Sequence, residues 1–294
     1  MLRRFDHILT NIADTCYSIL RVIIGFTLSN IASCSTVKED CLILGNGPSL
    51  KDLLPLIIKK QLTQTDIFCV NFFANDPAYH IIKPSHYVLL DPLFWLNDLP
   101  EKIMLDRNSL IEQIFNKTDW NLTLFVPSQA KPTLQNHTSH HVKIVYFNRT
   151  PITGFKPFRH ICYKLNLGMP VPQNVLVAAI FIATQINYKA IYIAGADHSW
   201  HKELTVGNDN ILYVKQKHFN DLDTNQQLPF YKPGHNETFK MHEIFTAWSR
   251  VFKSYTLIDI YAKSKCISIF NISKDSFIDA FTRVSANEAL CTMK

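Results

Sequence analysis

Glycine and charged residues are both scarce in this chain. Only eight of the 294 residues are glycine, and 18% are charged, against 47% that are hydrophobic. A chain this apolar carries enough hydrophobic surface for a substantial core, which excludes global disorder. The net charge is only +6, and no dense block of lysine and arginine occurs. We therefore expect no nucleic-acid partner, whereas a phosphorylated ligand or an anionic membrane surface suits the charge.

Paired cysteines are also missing. The seven cysteines are scattered and form no C-x-x-C pair. An odd number of scattered cysteines without a C-x-x-C pair argues against a zinc site and a disulfide framework, and fits a reducing cytoplasm. We expect no metal and no cofactor. The chain also has no internal repeat and no low-complexity linker, and its length suits one wound α/β domain.

Residues 1–35 differ from the rest of the chain, and we interpret them as an N-terminal amphipathic helix. Apolar residues recur there at the three- and four-residue steps of one helical face. These residues are Leu2, Phe5, Leu9, Ile12, Cys16, Ile19, Ile23 and Phe26. Arg21 interrupts the most apolar stretch, and no unbroken run reaches the roughly 18–20 residues that span a bilayer.

Three interpretations of this helix stay open. The first is a helix at a membrane surface, which would place the protein in the cytoplasm at the inner face of the membrane. The second is a helix packed on its own domain or on a partner. The third is a signal peptide, because residues 31–34 (I-A-S-C) are typical of a lipoprotein cleavage site.

Strand and helix patterns alternate over residues 40–294. Short apolar runs typical of buried strands occur at 41–44, 67–70, 87–90, 122–126, 143–147 and 190–197. Helical patterns occur at 49–60, 175–185 and 236–252. Such βαβ units predict a single Rossmann-like, mainly parallel sheet with helices on both faces. Residues 200–234 are polar and break the alternation, so we interpret them as a lid loop over a site, with a surface excursion as the alternative.

Polar residues follow four of these strands. They are Asn46, Asn71, Asp91 and Asp197. One such residue after a strand is an ordinary turn former. In an open parallel sheet, however, ligands bind where the loops after the strands converge. Four polar residues at equivalent edges therefore predict a shared cleft.

The first strand runs into Gly45-Asn46-Gly47-Pro48-Ser49. No Gly-Lys-Ser/Thr follows and the third glycine of a dinucleotide fingerprint is missing, which excludes both of those phosphate-binding motifs. Two glycines around Asn46 permit a ligand to approach the backbone closely. Pro48 and Ser49 then start a helix whose N–H groups favour an anion. We interpret the motif as a nucleotide or phosphate cradle.

Histidine supplies the candidate base. His235 follows Gly234 at the end of the polar segment, directly before a helical pattern. An imidazole suits general acid/base work near neutral pH. His198 and His201 beside Asp197 could suggest a metal pair, but the spacing has no third ligand.

Several motifs occur in an order that resembles a known family. They are LILGNGPSL, Asn71 after the second strand, LLDPLFW, IYIAGAD, YKPGHNE and NISKDSFI. Together they resemble the small bacterial sialyltransferases that act on lipooligosaccharide. The resemblance implies a modified Rossmann-like fold with a mobile lid and a CMP-activated sialic-acid-like donor. It also implies a cell-surface glycan or glycolipid acceptor, and a direct, inverting displacement that needs no metal.

The same resemblance assigns roles to individual residues. Asn46 and Asn71 would contact the cytidine nucleotide, and His235 would deprotonate the acceptor hydroxyl. The segment 271–278, with Asn271 and Ser273, would bind near the base or ribose.

Three features depart from that family's pattern. Asp91 stands where the family has Asn, and a carboxylate repels a donor phosphate unless a proton or a cation intervenes. Gln173 and Asn174 replace the family's Thr-Ser-Gly element before the central helix, where they would bind the donor. The tyrosines that hold the leaving phosphate have no match after the strand 190–197, where His198 or His201 could donate instead.

A second family shares GNGPSL and a later strand that ends in Asp. It comprises the domain of motility accessory factors and of archaeal 6-hydroxymethylpterin pyrophosphokinase, and there Asp91 would fit as a magnesium ligand. A magnesium-dependent pyrophosphokinase-like enzyme and a non-catalytic nucleotide-binding relative are therefore the alternatives. The Gly234-His235 element and NISKDSFI favour the glycosyltransferase. A homo-oligomer stays open under each interpretation.

Overall fold

The computed structural model describes residues 2–25, 27, 29, 31, 34, 36, 38–96, 99–215, 227–232 and 237–293. The strands in chain order are β1 (Asp40–Leu44), β2 (Thr65–Val70), β3 (His86–Val88), β4 (Leu122–Pro127), β5 (Val142–Phe147), β6 (Ala190–Ala194), β7 (Leu204–Val206), β8 (Leu212–Val214), β9 (Leu228–Pro229), β10 (Ser268–Asn271) and β11 (Thr282–Arg283). Eight of these described strands form one sheet in the order β11–β10–β6–β1–β2–β3–β4–β5, and each neighbouring pair is parallel.

Helices cover both faces of this sheet. They are α1 (Leu2–Gly25), α2 (Leu50–Lys60), α3 (Ala78–Ile82), α4 (Glu101–Phe115), α5 (Lys131–Leu134), α6 (Lys156–Lys164), α7 (Val175–Ile186), α8 (Met241–Ser264) and α9 (Ala286–Thr292). Successive strand residues point to opposite faces, so Ile43 and Phe68 pack with α7 and α8, while Leu44 and Cys69 pack with α2 and α4. The predicted Rossmann-like α/β fold is confirmed.

Two predicted elements differ from the structure. The helix expected over 236–252 begins at Met241 and continues to Ser264, because Glu243 accepts the backbone N–H of Lys240 at 2.8 Å and caps the helix there. The segment 200–234 is not simply a loop where it is described. A short 3₁₀ turn, Trp200–Glu203, leads into a small antiparallel sheet in the order β7–β8–β9. These strands have two or three residues, too few for a readable alternation.

The N-terminal helix ends at Gly25, ten residues before the predicted boundary. Its stretch Ile8–Gly25 has 18 residues and a mean hydropathy of 1.3, long and apolar enough to cross a membrane by length and composition. Asp14 and Arg21 interrupt this stretch, so it is apolar by its average and is not an unbroken apolar run. Signal sequences and the core helices of soluble proteins meet the same criteria, so the finding is weak evidence for a membrane.

A buried carboxylate, Asp66, fastens the segment after α1 to the amino ends of the strands. Its oxygens lie within 3.1 Å of Thr36, Ser85, Tyr188 and Lys38. Burial alone would raise the pKa of Asp66. The His86 ring 3.8 Å away, together with hydrogen bonds from Tyr188 and Thr36, outweighs burial and holds this pKa well below its ordinary value.

Replacing Asp66 by Asn should therefore destabilise the protein in a pH-dependent way. At neutral pH we expect the free energy of unfolding to fall by about 2 kcal/mol, as for hydrogen bonds to a charged group. The folded-state pKa is depressed, so wild-type Asp66 contributes this stability above about pH 4 and loses it as the pH falls further. Urea unfolding from neutral pH to about pH 3 measures the difference.

The exposed Asp119, which pairs with Lys83 at 3.0 Å, provides the matched control. Exposed ion pairs contribute little, so Asp119→Asn should change the stability far less than Asp66→Asn. A difference between Asp66→Asn and the wild type that stays constant with pH would contradict the assignment.

Candidate functional site

A cavity of about 440 Å³ opens at the carboxyl ends of β1, β2 and β6. β2 and β6 lie on opposite sides of β1, so the cavity sits where the strand order reverses. Ligands of open α/β sheets bind at such switch points. The cavity brings together many of the predicted residues, namely Asn46, Gly47, Pro48, Asn71, Asp91, Asn174, Asp197 and His198.

Other predicted residues lie elsewhere. Those outside the cavity lining are Gly45, Ser49, Gln173, His201, Asn271 and Ser273. His235, the predicted base, and Gly234 fall outside the described residues. The residues of the predicted cleft that follow the four strands, Asn46, Asn71, Asp91 and Asp197, do share one cavity.

The glycines of the first loop pack against the end of β6. The N–H of Gly45 donates to Ala194 O and the N–H of Gly47 donates to Gly195 O, both at 2.8 Å. A Cβ on Gly45 would lie 2.5 Å from the oxygen of Gly195. These glycines therefore allow one backbone to approach another closely, and the approach of a ligand to them stays a prediction.

The start of α2 also has an internal partner. The N–H of Ser49 donates to both carboxylate oxygens of Asp197 at 3.2 and 3.3 Å, and the Ser49 hydroxyl donates to Oδ2 at 3.0 Å. The next N–H, of Leu50, donates to Gly47 O. The anion expected at this helix terminus is thus the chain's own carboxylate. Burial raises the pKa of Asp197, against the hydrogen bonds from Ser49, which lower it.

The side chain of Asn46 lines the cavity, and one of its polar atoms has no hydrogen-bond partner among the described residues. Nδ2 of Asn46 lies 3.4 Å from Val70 O, and its Oδ1 is buried without a hydrogen-bond partner among the described residues. Asn71 has a positive φ of 51°, and its carbonyl accepts the hydroxyl of Tyr87 at 2.6 Å. Asn adopts this left-handed conformation more readily than most residues. Asn46 is thus held by β2 and Asn71 by β3, and Oδ1 of Asn46 is an acceptor that a bound donor group would satisfy.

Asp91 and Asn174 have local roles beside their place in the lining. Asp91 is exposed, and its carboxylate caps the turn Pro92–Phe94 by accepting the N–H of Leu93 at 3.0 Å. Asn174 caps α7 by accepting the N–H of Leu176 at 2.7 Å. Each residue type is therefore explained by its turn or helix terminus.

Aromatic side chains, which sequence reasoning missed, form one wall of the cavity. Trp200, Phe230 and Trp248 all line it, and the rings of Trp200 and Trp248 lie 5.7 Å apart. They come from the 3₁₀ turn, the strand region after β9 and α8. Trp200 and Phe230 stand near the two ends of the polar segment 200–234, a signal that could have revealed them.

The two candidate histidines, His198 and His201, lie in different environments. The ring of His198 lies 4.2 Å from Trp200, and its Nε2 is 2.7 Å from the hydroxyl of Tyr255. Burial lowers the pKa of His198 to about 3, so the ring is neutral at pH 7. His201 is exposed and packs on Phe277 at 4.5 Å, away from the cavity lining. Within the described ranges, no group of three or more His, Cys, Asp or Glu side chains could hold a metal ion.

Asn271 and Ser273 support the loop after β6 and do not line the cavity themselves. Oγ of Ser273 accepts the N–H of Ala196 at 2.8 Å, and Oδ1 of Asn271 accepts the N–H of Ser273 at 3.0 Å. The segment after β10 is therefore bound to the loop after β6, which carries Asp197 and His198. Its polar side chains are used within the fold.

The charged residues that line the cavity are Asp91, Asp197, Glu203 and Lys215. The backbone N–H of Lys215 donates to Glu203 O at 3.0 Å, which joins the end of β8 to the 3₁₀ turn. The antiparallel sheet thereby brings a cation to the strand-end loops. One lysine stands against three carboxylates in the described lining.

Comparisons with known proteins identify the family and the fold. A family model described as 6-hydroxymethylpterin diphosphokinase MptE-like matches residues 8–203, about two thirds of the chain. Among solved structures, a MAf glycosyltransferase from Magnetospirillum magneticum AMB-1 is similar, with a TM-score of 0.50 and 12% identity. The match covers 86% of this chain and 34% of that one.

At this identity the structural likeness concerns the fold alone, and the chain spans about a third of that protein's length. Comparison with curated proteins finds no match. Of the two resemblances found in the sequence, the family match confirms the second, and the sialyltransferase resemblance is not confirmed.

The contact between the two loops predicts the effect of an alanine at Gly195. This residue has a φ of +64°, and a Cβ would lie 2.4 Å from Gly45 O. We expect Gly195→Ala to lower the free energy of unfolding by about 2 kcal/mol or more, from left-handed strain and the backbone clash. Urea unfolding measures it.

Gly25→Ala is the matched control, because its Cβ would meet only the Thr150 hydroxyl, at 3.6 Å. This variant should retain or slightly raise stability. Equal effects of the two substitutions would refute the proposed loop contact.

Proposed function

The chain belongs to the MptE-like family, and we propose that it is a glycosyltransferase acting on a nucleotide-activated sugar. The observation that carries the proposal is the shared cavity at the switch point of the sheet, in which strand-end amides and an aromatic wall meet. The proposal also draws on the similar fold of the MAf glycosyltransferase. The donor is most simply a CMP-activated, sialic-acid-like sugar.

The cavity suits a nucleobase. Indole rings stack with bases, and such stacking contributes about 1–3 kcal/mol per base. Trp200 and Trp248 offer these rings, and the unsatisfied Oδ1 of Asn46 could accept the exocyclic amino group of cytosine. A pyrimidine with an amino group meets both features.

The charges of the lining favour a donor with one phosphate. The described lining holds one lysine and three carboxylates, so its formal charge is negative. A triphosphate would bring about four negative charges toward Asp91, Asp197 and Glu203, and would need a divalent cation to enter. A nucleoside monophosphate sugar fits the described residues without that addition.

The proposed reaction is a direct displacement. The acceptor hydroxyl oxygen attacks the anomeric carbon, the bond from that carbon to the phosphate oxygen breaks with its electron pair leaving on the nucleotide, and a base removes the hydroxyl proton. We assign the base to His235 from the sequence. Phe230 lines the cavity and its carbonyl accepts the N–H of Phe239 at 2.8 Å, so described residues on both sides of His235 in the sequence lie at the cavity.

The acceptor in this proposal is a cell-surface glycan or glycolipid. We place its glycosylation in the cytoplasm, at the inner face of the membrane. No resident cofactor takes part, since the nucleotide sugar is a substrate.

The family description favours a second candidate, a magnesium-dependent pyrophosphokinase-like enzyme. Mg²⁺ is commonly bound through one or two carboxylates together with water and substrate phosphates. Asp91 fits this use, because it is exposed in the lining and only its Oδ1 is engaged, by Leu93. Under this alternative Asp91 would hold the ion against the transferred phosphates. A non-catalytic nucleotide-binding relative is the third candidate.

The stacking assignment predicts a loss of nucleotide affinity in Trp248→Ala. Thermal shifts with CMP, UDP, GDP, ADP and ATP, with and without Mg²⁺, identify the nucleotide, since a ligand of the native state raises its melting temperature. We expect a response to CMP without Mg²⁺, weakened roughly tenfold in Trp248→Ala. Phe155→Ala, which removes another partly exposed aromatic ring outside the cavity lining, should bind CMP as the wild type does. A response to UDP-sugars alone would rule out the proposed donor.

The base assignment predicts that His235→Ala loses sugar transfer by a factor of about 10² or more while CMP binding survives. Donor turnover and the thermal shift measure the two effects separately. Asp91→Asn should retain transfer under the glycosyltransferase proposal. If instead ATP and Mg²⁺ are required and Asp91→Asn is inactive, the pyrophosphokinase-like function replaces it. Nucleotide binding without turnover of any donor would indicate the non-catalytic relative.

A further inference from the structure

Helix α1 turns its polar side toward its own domain. Ser18 is buried, and its Oγ accepts the N–H of Thr153 at 2.8 Å. Oγ1 of Thr15, one turn earlier, accepts the N–H of Phe155 at 3.1 Å. Gly154 lies between these contacts, where a Cβ would fall 2.1 Å from the Thr15 hydroxyl. The helix is thus docked side-on to the segment before α6 by hydrogen bonds and close backbone approach.

The opposite side of α1, here called its outer face, is apolar and uncovered. Its exposed large hydrophobic residues are Phe5, Ile8, Leu9, Ile12, Tyr17, Ile19, Leu20, Ile23 and Ile24. Soluble domains bury the apolar face of a surface helix and expose the polar one. This helix does the reverse, and an apolar surface of this extent marks an interaction site.

Cations lie beside this surface. α6 begins at Lys156, directly after Phe155, the residue bonded to α1. Exposed on or next to α6 are the cations Lys156 and Lys164 and the apolar residues Phe155, Ile161 and Leu165. The helix contains no acidic residue. Mixed cations and apolar side chains of this kind suit the headgroup region of an anionic bilayer.

We propose that the outer face of α1, together with α6, is a lipid-binding surface on which α1 lies flat in the interface of an anionic membrane. The contacts of Thr15 and Ser18 hold α1 against the domain along its second half, so the helix cannot leave the domain to span the bilayer while they persist. The site thus binds the phosphate headgroups and acyl chains of lipids. It stands independently of the chemistry proposed for the cavity.

A second copy of the chain suits this surface less well. In a two-fold interface the same patch of both copies is buried, so one interface would contain Lys156 and Lys164 of both copies, and α6 offers no acidic residue to pair with them. Juxtaposed like charges oppose such pairing. An anionic bilayer offers charges of the opposite sign, so the charge complementarity selects lipid.

Co-sedimentation of the full chain with vesicles tests the apolar part. We expect binding to phosphatidylglycerol in phosphatidylcholine, and a dissociation constant raised at least about tenfold in Ile23→Gln/Ile24→Gln. These residues are 72% and 77% exposed. The matched control is Ile81→Gln/Leu105→Gln, at 63% and 62% exposure on other helices, which should bind as the wild type does. Thermal unfolding verifies that each variant is folded.

A second pair of variants tests the cations. Lys156→Glu/Lys164→Glu should lower binding to anionic vesicles by about tenfold or more, and this binding should weaken with salt. Lys59→Glu/Lys60→Glu changes the net charge equally at the exposed end of α2 and should leave binding nearly unchanged. Equal losses in both pairs would attribute the effect to net charge and overturn the assignment to α6.

Three results would overturn the proposal as a whole. The first is equal vesicle binding by the wild type and Ile23→Gln/Ile24→Gln. The second is a dimer that forms without lipid and dissociates in that variant, with no binding to vesicles. The third is membrane-bound protein that resists extraction by alkaline carbonate, which indicates a spanning helix. None involves nucleotide or sugar transfer. A failure of the lipid surface is therefore distinguishable from a failure of the proposed function.

Discussion

The site depends on the contact between the loops that follow β1 and β6. Gly47 N–H meets Gly195 O at 2.8 Å, and Ser49 binds the carboxylate of Asp197. These hydrogen bonds join the two loops at the switch point of the sheet, and the cavity lies beside them. The glycines are required there because either Cβ would strike the other backbone. The motif therefore shapes the floor of the cavity, and under the proposed function the side chains around it recognise the nucleotide.

The sheet was largely predictable, because its strands are buried on both faces and appear as continuous apolar runs. β10 was missed, since Ser268 and Asn271 interrupt its short apolar run. The site was predictable only at the strand ends. Asn46, Asn71, Asp91 and Asp197 share a topological position, whereas Trp200 and Trp248 meet through tertiary packing that no spacing reveals. The resemblance placed Asn271 near the nucleotide, but its amide serves a buried turn.

For the N-terminal helix, the sequence period correctly indicated an apolar face but did not show whether that face meets the domain or the solvent. The apolar spacing identified one face of α1, and that face is exposed. Periodicity cannot say which side meets the domain, because the answer depends on the partner surface. Here that surface presents the N–H groups of Thr153 and Phe155, which require oxygen acceptors. Thr15 and Ser18 provide them, so the polar side turns inward and the apolar side outward.

The carboxylates of the cavity do not exclude a phosphorylated donor. Asp197 is bound by the hydroxyl and N–H of Ser49, which offset part of its charge. Asp91 is exposed, and water screens it, so repulsion of a phosphate about 4 Å away costs only about 1 kcal/mol per unit charge at the dielectric of water. A base stacked on the indoles contributes more than this. The balance therefore permits a monophosphate donor, whereas each additional phosphate charge shifts it toward a requirement for a cation at Asp91.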